Sequence, residues 1–184
     1  MNSTDNMVYN VIAAVSKNGG IGYKGNLPWR IKKEMEYFNR MTTQVNQSGV
    51  QNAVIMGRCT WQSIPDKYRP LKGRKNVVIS KTLKGVPEGV LLYPNLKEAL
   101  KSLYLNDHVE KLWVIGGSGL YNEAINDKNC KKLYITKIDQ EYLCDTFFPD
   151  FDLNEFEEIN ETNVPKEIQE ENGIKYEFKV FKRL

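Results

Sequence analysis

Six short apolar runs, rich in β-branched residues and nearly continuous, punctuate this chain: VYNVIAAV (Val8–Val15), NAVIM (Asn52–Met56), NVVI (Asn76–Ile79), GVLLY (Gly89–Tyr93), KLWVI (Lys111–Ile115) and LYITKI (Leu133–Ile138). Such runs, without a polar residue at every second place, suit strands covered on both faces. Helix-like patterns fall between them, over Arg30–Met41, Thr60–Ile64, Leu96–Leu105 and Gly119–Asn126. Strand–helix alternation predicts an α/β fold with parallel strands and right-handed crossovers. The last third differs. Phe156–Ile159 and the alternating Ile174–Phe181 flank Pro165 and the turn signal Asn172-Gly173, which predicts an antiparallel pair closing one edge. The expectation is a mostly parallel central sheet of about eight strands with an antiparallel C-terminal hairpin and flanking helices. Thr42–Gln51 and Pro65–Arg74 read as surface loops.

With 184 residues and no linker or repeat, the chain is expected to form a single domain over 1–184. No apolar run approaches membrane-spanning length, so no membrane partner is expected. The start, MNSTDNMVYN, has neither the basic stretch nor the apolar core of a secretion signal, and residues 1–6 read as a loose end. Three separated cysteines without a CxxC argue against a disulfide framework or zinc site and fit a reducing, cytoplasmic compartment. His108 is the only histidine, and Asp139, Glu141 and Asp145 lack metal spacing, so no metal is expected. A net charge of +3 gives no specific nucleic-acid signal but suits a small anionic ligand. Met7, Met35, Met41 and Met56 read as core.

Three strand ends carry glycine or serine with a cation or a helix start. Ile115-Gly116-Gly117-Ser118-Gly119-Leu120-Tyr121 is a glycine turn between strand and helix, neither the GxGxxG fingerprint nor a Walker A loop. It serves a phosphate or simply a tight turn. Val54–Trp61 (VIMGRCTW) repeats the pattern with Arg58, and Ile79-Ser80-Lys81-Thr82 ends a strand with a hydroxyl and a cation. Their convergence favours a phosphate-bearing ligand at the carboxyl edge of the sheet over a solvated basic rim. Asn18–Gly25, with four glycines in eight residues, reads as a lid or as a plain loop.

GNLPWRIKKEMEYF holds the oddest residue. Ile31, Met35 and Phe38 fall at i, i+4 and i+7, and Glu34 lies inside that apolar stripe while Lys32, Lys33, Glu36 and Arg40 point away. A stray acid or one with a basic partner would explain it. So would a carboxylate at the floor of an apolar pocket, gripping an amidine-like edge through two hydrogen bonds, with a pKa raised by desolvation.

Together these segments resemble the dihydrofolate reductase family, of the longer animal type and monofunctional, with no fused thymidylate synthase expected. The resemblance is carried by IAAVSKNGGIGYKGNLPW (Ile12–Trp29), EMEYFNRMTT (Glu34–Thr43), NAVIMGRCTWQSIP (Asn52–Pro65), RPLKGRKNVVIS (Arg69–Ser80), WVIGGSGLY (Trp113–Tyr121), LYITKI, DTFFPD (Asp145–Asp150) and GIKYEFKVF (Gly173–Phe181), in family order. It implies reduction of dihydrofolate to tetrahydrofolate, supporting one-carbon metabolism, with NADPH as cofactor. It implies that Glu34 holds the pterin, buttressed by Thr136, with water near Trp29 and Leu27 delivering the proton to N5 while hydride reaches C6. Ile12, Ala13, Met35, Phe38, Ser63, Ile64, Leu71, Ile115 and Tyr121 would line the substrate pocket, and Arg74 would clamp the α-carboxylate of the glutamate tail. Ala14, Gly20, Ile21 and Gly22 would cover the nicotinamide. Gly116-Gly117 would form a cis peptide, with Ser118, Gly119, Leu120 and Tyr121 beside the pyrophosphate. Gly57, Arg58, Thr60, Ser80 and Lys81 would hold the adenosine phosphates. A monomer that binds antifolates is the family expectation. Met35 stands where animal-type members usually carry phenylalanine, and Pro94 where an arginine near the 2′-phosphate is expected. A pterin or pyrimidine reductase of the same fold would not combine Glu34 with Arg74. A non-catalytic binder would be free to lose Glu34, Trp29 or the double glycine, and all are present.

Overall fold

Each apolar run becomes a strand of one nine-stranded sheet in the computed structural model, which describes residues 7–184. The expectation of a loose end at residues 1–6 lies outside the described residues. In chain order the elements are β1 (Tyr9–Val15), β2 (Gly20–Gly22), α1 (Lys32–Thr43), β3 (Gln51–Gly57), α2 (Arg58–Ser63), β4 (Arg74–Ile79), β5 (Leu91–Tyr93), α3 (Leu96–Tyr104), β6 (Val109–Gly116), α4 (Ser118–Ile125), β7 (Cys130–Ile138), β8 (Thr146–Phe147), β9 (Phe156–Ile159), β10 (Gln169–Glu171) and β11 (Ile174–Arg183). Strands β5, β4, β3, β6, β1 and β7 lie side by side and parallel, so their carboxyl ends share one edge. This is the mostly parallel α/β sheet the sequence predicts.

Burial on both faces explains the continuous runs. Val11, Ala53, Val54, Ile55, Met56, Val77, Val78 and Val114 expose essentially nothing or are close to it. Two cores result, one on each face. Val11 and Ala13 belong with Leu96, Ala99, Leu100 and Leu103 of α3, and Ala124 and Ile125 of α4. Ile12 and Ala14 belong with Trp29, Ile31, Tyr37, Met41, Trp61 and Trp113. The period of two along β1 sorts its neighbours between the cores.

Three local readings differ from the structure, and one is borne out. Helix α1 starts at Lys32 rather than Arg30, because Ile31 is still extended at φ −125° and ψ 101°. It runs on to Thr43, so Thr42 is buried helix rather than loop. The Thr42 and Thr43 hydroxyls donate back to the carbonyls of Phe38 and Asn39 at 2.8 and 2.7 Å. The C-terminal antiparallel pair forms as expected and closes that edge, with Ile159 of β9 opposite Val180 of β11; β11 pairs with β7 on one side, while β9 and β10 occupy different stretches of its other side. The glycine-rich segment holds strand β2, paired with β8, and is clamped rather than free. A Cβ on Gly20 would stand 2.1 Å from Cys144 Sγ, so the close approach of the two segments requires glycine there.

Candidate active site

The buried face of α1 is Glu34, Tyr37, Met41 and Thr42, with buried Ile31 just ahead of the helix. The stripe is therefore rotated from the Ile31, Met35, Phe38 reading. Met35 is 50% exposed and not core, Phe38 is half-buried, and the acid is central to the inward face. Helix–sheet packing decides this, since the wide aromatic Tyr37 stacks on Phe178 of β11 with ring centroids 3.9 Å apart. Phe178 lies opposite Thr136 of β7, and Thr136 lies opposite Ala14 of β1. That register brings Thr136 under the helix, where its hydroxyl donates to Glu34 Oε1 at 3.2 Å.

Glu34 is 5% exposed and forms no ion pair among the described residues. Desolvation raises its pKa to about 7, and the Thr136 hydrogen bond opposes the shift only in part. Such an acid exists in both protonation states near neutrality. Beside it, Trp29 is buried edge-on to Tyr142, 5.5 Å between centroids, and its indole N–H has no protein partner. Leu27 is 49% exposed at the rim. Half-buried Ala14, Phe38, Ile64, Leu71 and Ile115 pack against the same core as buried Ile12. Ala13 does not join them; its side chain belongs to the opposite core, because alternation along β1 turns it away. Tyr121 also packs in that opposite core, and its hydroxyl is engaged by the Ile12 carbonyl at 2.7 Å.

Arg74 opens β4 with its guanidinium half-buried. Its Nη1 donates to Thr42 Oγ1 at 3.1 Å and its Nε to the Lys72 carbonyl at 2.9 Å. Burial lowers its pKa, and no carboxylate pairs with it among the described residues. A cation held by neutral oxygens keeps its charge for an incoming anion. Two residues that sequence reasoning missed build this grip. Thr42 supplies the acceptor. Asn76, 2% exposed, accepts from Leu71 N–H and donates to the carbonyls of Leu71 and Arg74, fixing the loop between them. Asn52 does comparable work at the head of β3, donating to the carbonyls of Thr42 and Gln44. The available signal was the asparagine that opens two of the apolar runs, NAVIM and NVVI.

Of the residues expected beside the phosphates, Gly57, Thr60, Gly116 and Gly117 come together. Gly57 precedes α2, Gly117 precedes α4, and neither helix has a side-chain cap. The Gly116–Gly117 peptide is cis. A Cβ on Gly116 or Gly117 would meet Thr60 Oγ1 at 3.2 or 3.3 Å, and one on Gly57 would meet Gly117 N at 3.8 Å. The backbone is thus close-packed around Thr60, with bare N–H groups at the first turn of α4, an arrangement that favours an anion. Arg58 lies along α2 against Gln62 at 3.2 Å, and exposed Lys81 follows β4. The Ser80 hydroxyl already accepts from the N–H groups of Leu83 (2.9 Å) and Thr82 (3.2 Å), so it stabilises its own turn as well as facing the edge. Ser63, exposed, donates to the Thr60 carbonyl at 2.7 Å. Ile21 and Gly22 stand in and beside the β2–β8 pairing, next to Gly20. Among the described residues no three potential metal ligands come together, and no helix is long and apolar enough to cross a membrane.

A family profile described as "Dihydrofolate reductase" matches residues 8–183. The chain is 48% identical over 179 residues to the dihydrofolate reductase of Heliothis virescens, covering 95% of this chain and 97% of that one. It is 47% identical over 180 residues to that of Sus scrofa, with the same coverage. The Schistosoma mansoni dihydrofolate reductase structure superposes with a TM-score of 0.86 at 41% identity, covering 97% of this chain and 100% of its own.

Proposed function

We infer, from the premise that this chain belongs to the dihydrofolate reductase family, how its own residues carry out the reduction of 7,8-dihydrofolate to 5,6,7,8-tetrahydrofolate with NADPH. The observation that carries the assignment is Glu34, a buried acid with no cation paired to it among the described residues, backed by Thr136, with a pKa of about 7. A pterin offers N3 and a 2-amino group side by side, and a carboxylate accepts from both at once. Thr136 fixes the carboxylate's rotation through Oε1. The unpartnered Trp29 indole N–H, with Leu27 at the rim, is placed to hold water that passes a proton to N5. Ile12, Ala14, Phe38, Met35, Ile64, Leu71 and Ile115 offer apolar surface to the ring and the benzoyl group. Ser63 and Tyr121 support the surrounding backbone. Arg74 takes the α-carboxylate of the tail.

NADPH supplies the hydride that reaches C6. The residues fit it: the close-packed Gly116-Gly117 turn, the uncapped start of α4 at Ser118, Gly119 and Leu120, and Gly57, Arg58, Thr60, Ser80 and Lys81 at the adjacent strand ends would hold its phosphates. Ala14, Gly20, Ile21 and Gly22 would cover its nicotinamide. The proposal extends to a cytoplasmic monomer that takes antifolates in the same pocket, with exposed Met35 altering how bulky ones pack.

The test is oxidation of NADPH by purified protein on adding dihydrofolate, with Glu34→Gln beside it. Turnover in the parent and a loss of roughly a hundredfold or more at neutral pH in the variant is the expected pair, in line with one lost proton-transfer group. A parent that binds both ligands without turnover would instead be a binding protein.

A further inference from the structure

Helix α1 begins without a local cap. Ile31 offers no side-chain hydrogen bond, and the first two N–H groups turn to a carboxylate from the far end of the chain. Lys32 N–H donates to Glu171 Oε2 at 2.5 Å, and Lys33 N–H to Oε1 at 3.0 Å. Glu171 closes β10, opposite Ile174 across a tight turn in which Asn172 and Gly173 both take positive φ. That turn fixes the carboxylate's origin, and the two backbone donors hold its pKa below the usual range. Glu34 is the third residue of the same helix, in the same first turn. An uncompensated helix start carries roughly half a positive charge and favours an ionised carboxylate there. Such an effect opposes the burial that keeps Glu34 available as an acid.

We propose that Glu171 is a positioning residue for Glu34: it fixes where α1 starts and, by saturating its first N–H groups with negative charge, keeps the helix end from drawing Glu34 toward its ionised form. The proposal rests on the role given to Glu34 above. The other groups around Glu34 leave this task unfilled. The Glu34 charge reaches Tyr37 on α1, Tyr121 on α4 and Tyr176 on β11, and burial raises the pKa of all three, so they stay neutral. Thr136 on β7 is neutral. Lys32, Lys33 and Glu36 are exposed, with Lys32 and Glu36 4.0 Å apart and well screened, while Arg40, also exposed, lies over the Tyr37 ring at 5.5 Å and donates to the Asn163 carbonyl at 3.0 Å. Glu170 and Lys175 sit opposite each other on the β10–β11 pair.

The experiment is a carboxyl carbon NMR titration of Glu34 in the whole protein, its signal assigned by its absence in Glu34→Gln. In Glu171→Gln, which keeps an acceptor oxygen but loses the charge, the Glu34 midpoint should fall by roughly half a unit. It should return toward the parent value in Glu171→Asp, and the alkaline limb of the turnover profile should move the same way. A lower melting temperature with an unmoved Glu34 midpoint would reduce Glu171 to a simple cap and overturn the proposal. The titration needs no substrate. A parent that fails to turn over dihydrofolate would therefore count against the reaction and leave this result to stand by itself.

Discussion

Glu34 shows stability and chemistry in opposition at one residue. Its folded pKa of about 7 lies above the usual 4.5 of a free glutamate, which stands for the unfolded chain. Between those values the folded state binds more protons, so this group lowers stability as pH rises through the window, and the full penalty applies above about 7. Glu34→Gln should therefore match the parent near pH 4 and exceed it at pH 8 by roughly 1–3 kcal/mol, read from paired denaturant curves. An equal offset at both pH values would mean that desolvation is not the cause. Arg74 presents the simpler case of a charge waiting for its anion. Arg74→Leu should weaken dihydrofolate binding by roughly 1.5–3 kcal/mol and leave NADPH binding almost unchanged. Titrating each ligand against the variant separates the two; equal losses would make Arg74 structural.

At the level of elements, β2 and β8 show how a segment that reads as loose becomes ordered. Gly20 faces Phe147, Asn18 exchanges hydrogen bonds with the backbone of Tyr142, and Asp145 accepts from Lys24 N–H at 2.9 Å. The segment is thus tied along its length to residues more than a hundred positions away. Gly20→Ala should destabilise the pair by roughly 1–3 kcal/mol, because its Cβ would collide with Cys144 Sγ and Cβ. Adding Cys144→Gly should restore most of that loss in a thermal melt, since both clashing atoms are removed. No rescue would place the strain elsewhere. The helices were easier to read than this pair. Asn95 caps α3 by accepting from Glu98 N–H at 2.9 Å, a local signal of the sort sequence displays. The start of α1 is capped by a residue 139 positions away, which no local pattern reveals.

For the whole molecule, one sheet carries a core on each face, with the glycine turns after β3 and β6 at its carboxyl edge and Arg74 at the opposite end of β4, so a bound cofactor should stabilise the entire fold. NADPH at about a hundredfold over its Kd should add roughly 2.7 kcal/mol, seen as a Tm rise of roughly 5–11 °C for a chain of this size. Arg74→Leu should show the same rise, and a rise lost in that variant would contradict the division of the two sites. The order of strands and helices, the parallel core and the glycine turns are set by short-range patterns, because apolar runs and backbone freedom act over a few residues. An acid standing on an apolar helix face is likewise visible from spacing alone. Which way that helix turns is not. Tyr37 stacking on Phe178 rotates Met35 outward and Glu34 onto Thr136, and that contact joins α1 to β11 and β7. Local pattern is enough to specify the elements and the residue types the chemistry needs. Their partners, Thr42 on Arg74, Asn76 in its loop and Glu171 on α1, come from the packed fold, because burial and long-range hydrogen bonds exist only after the chain has folded.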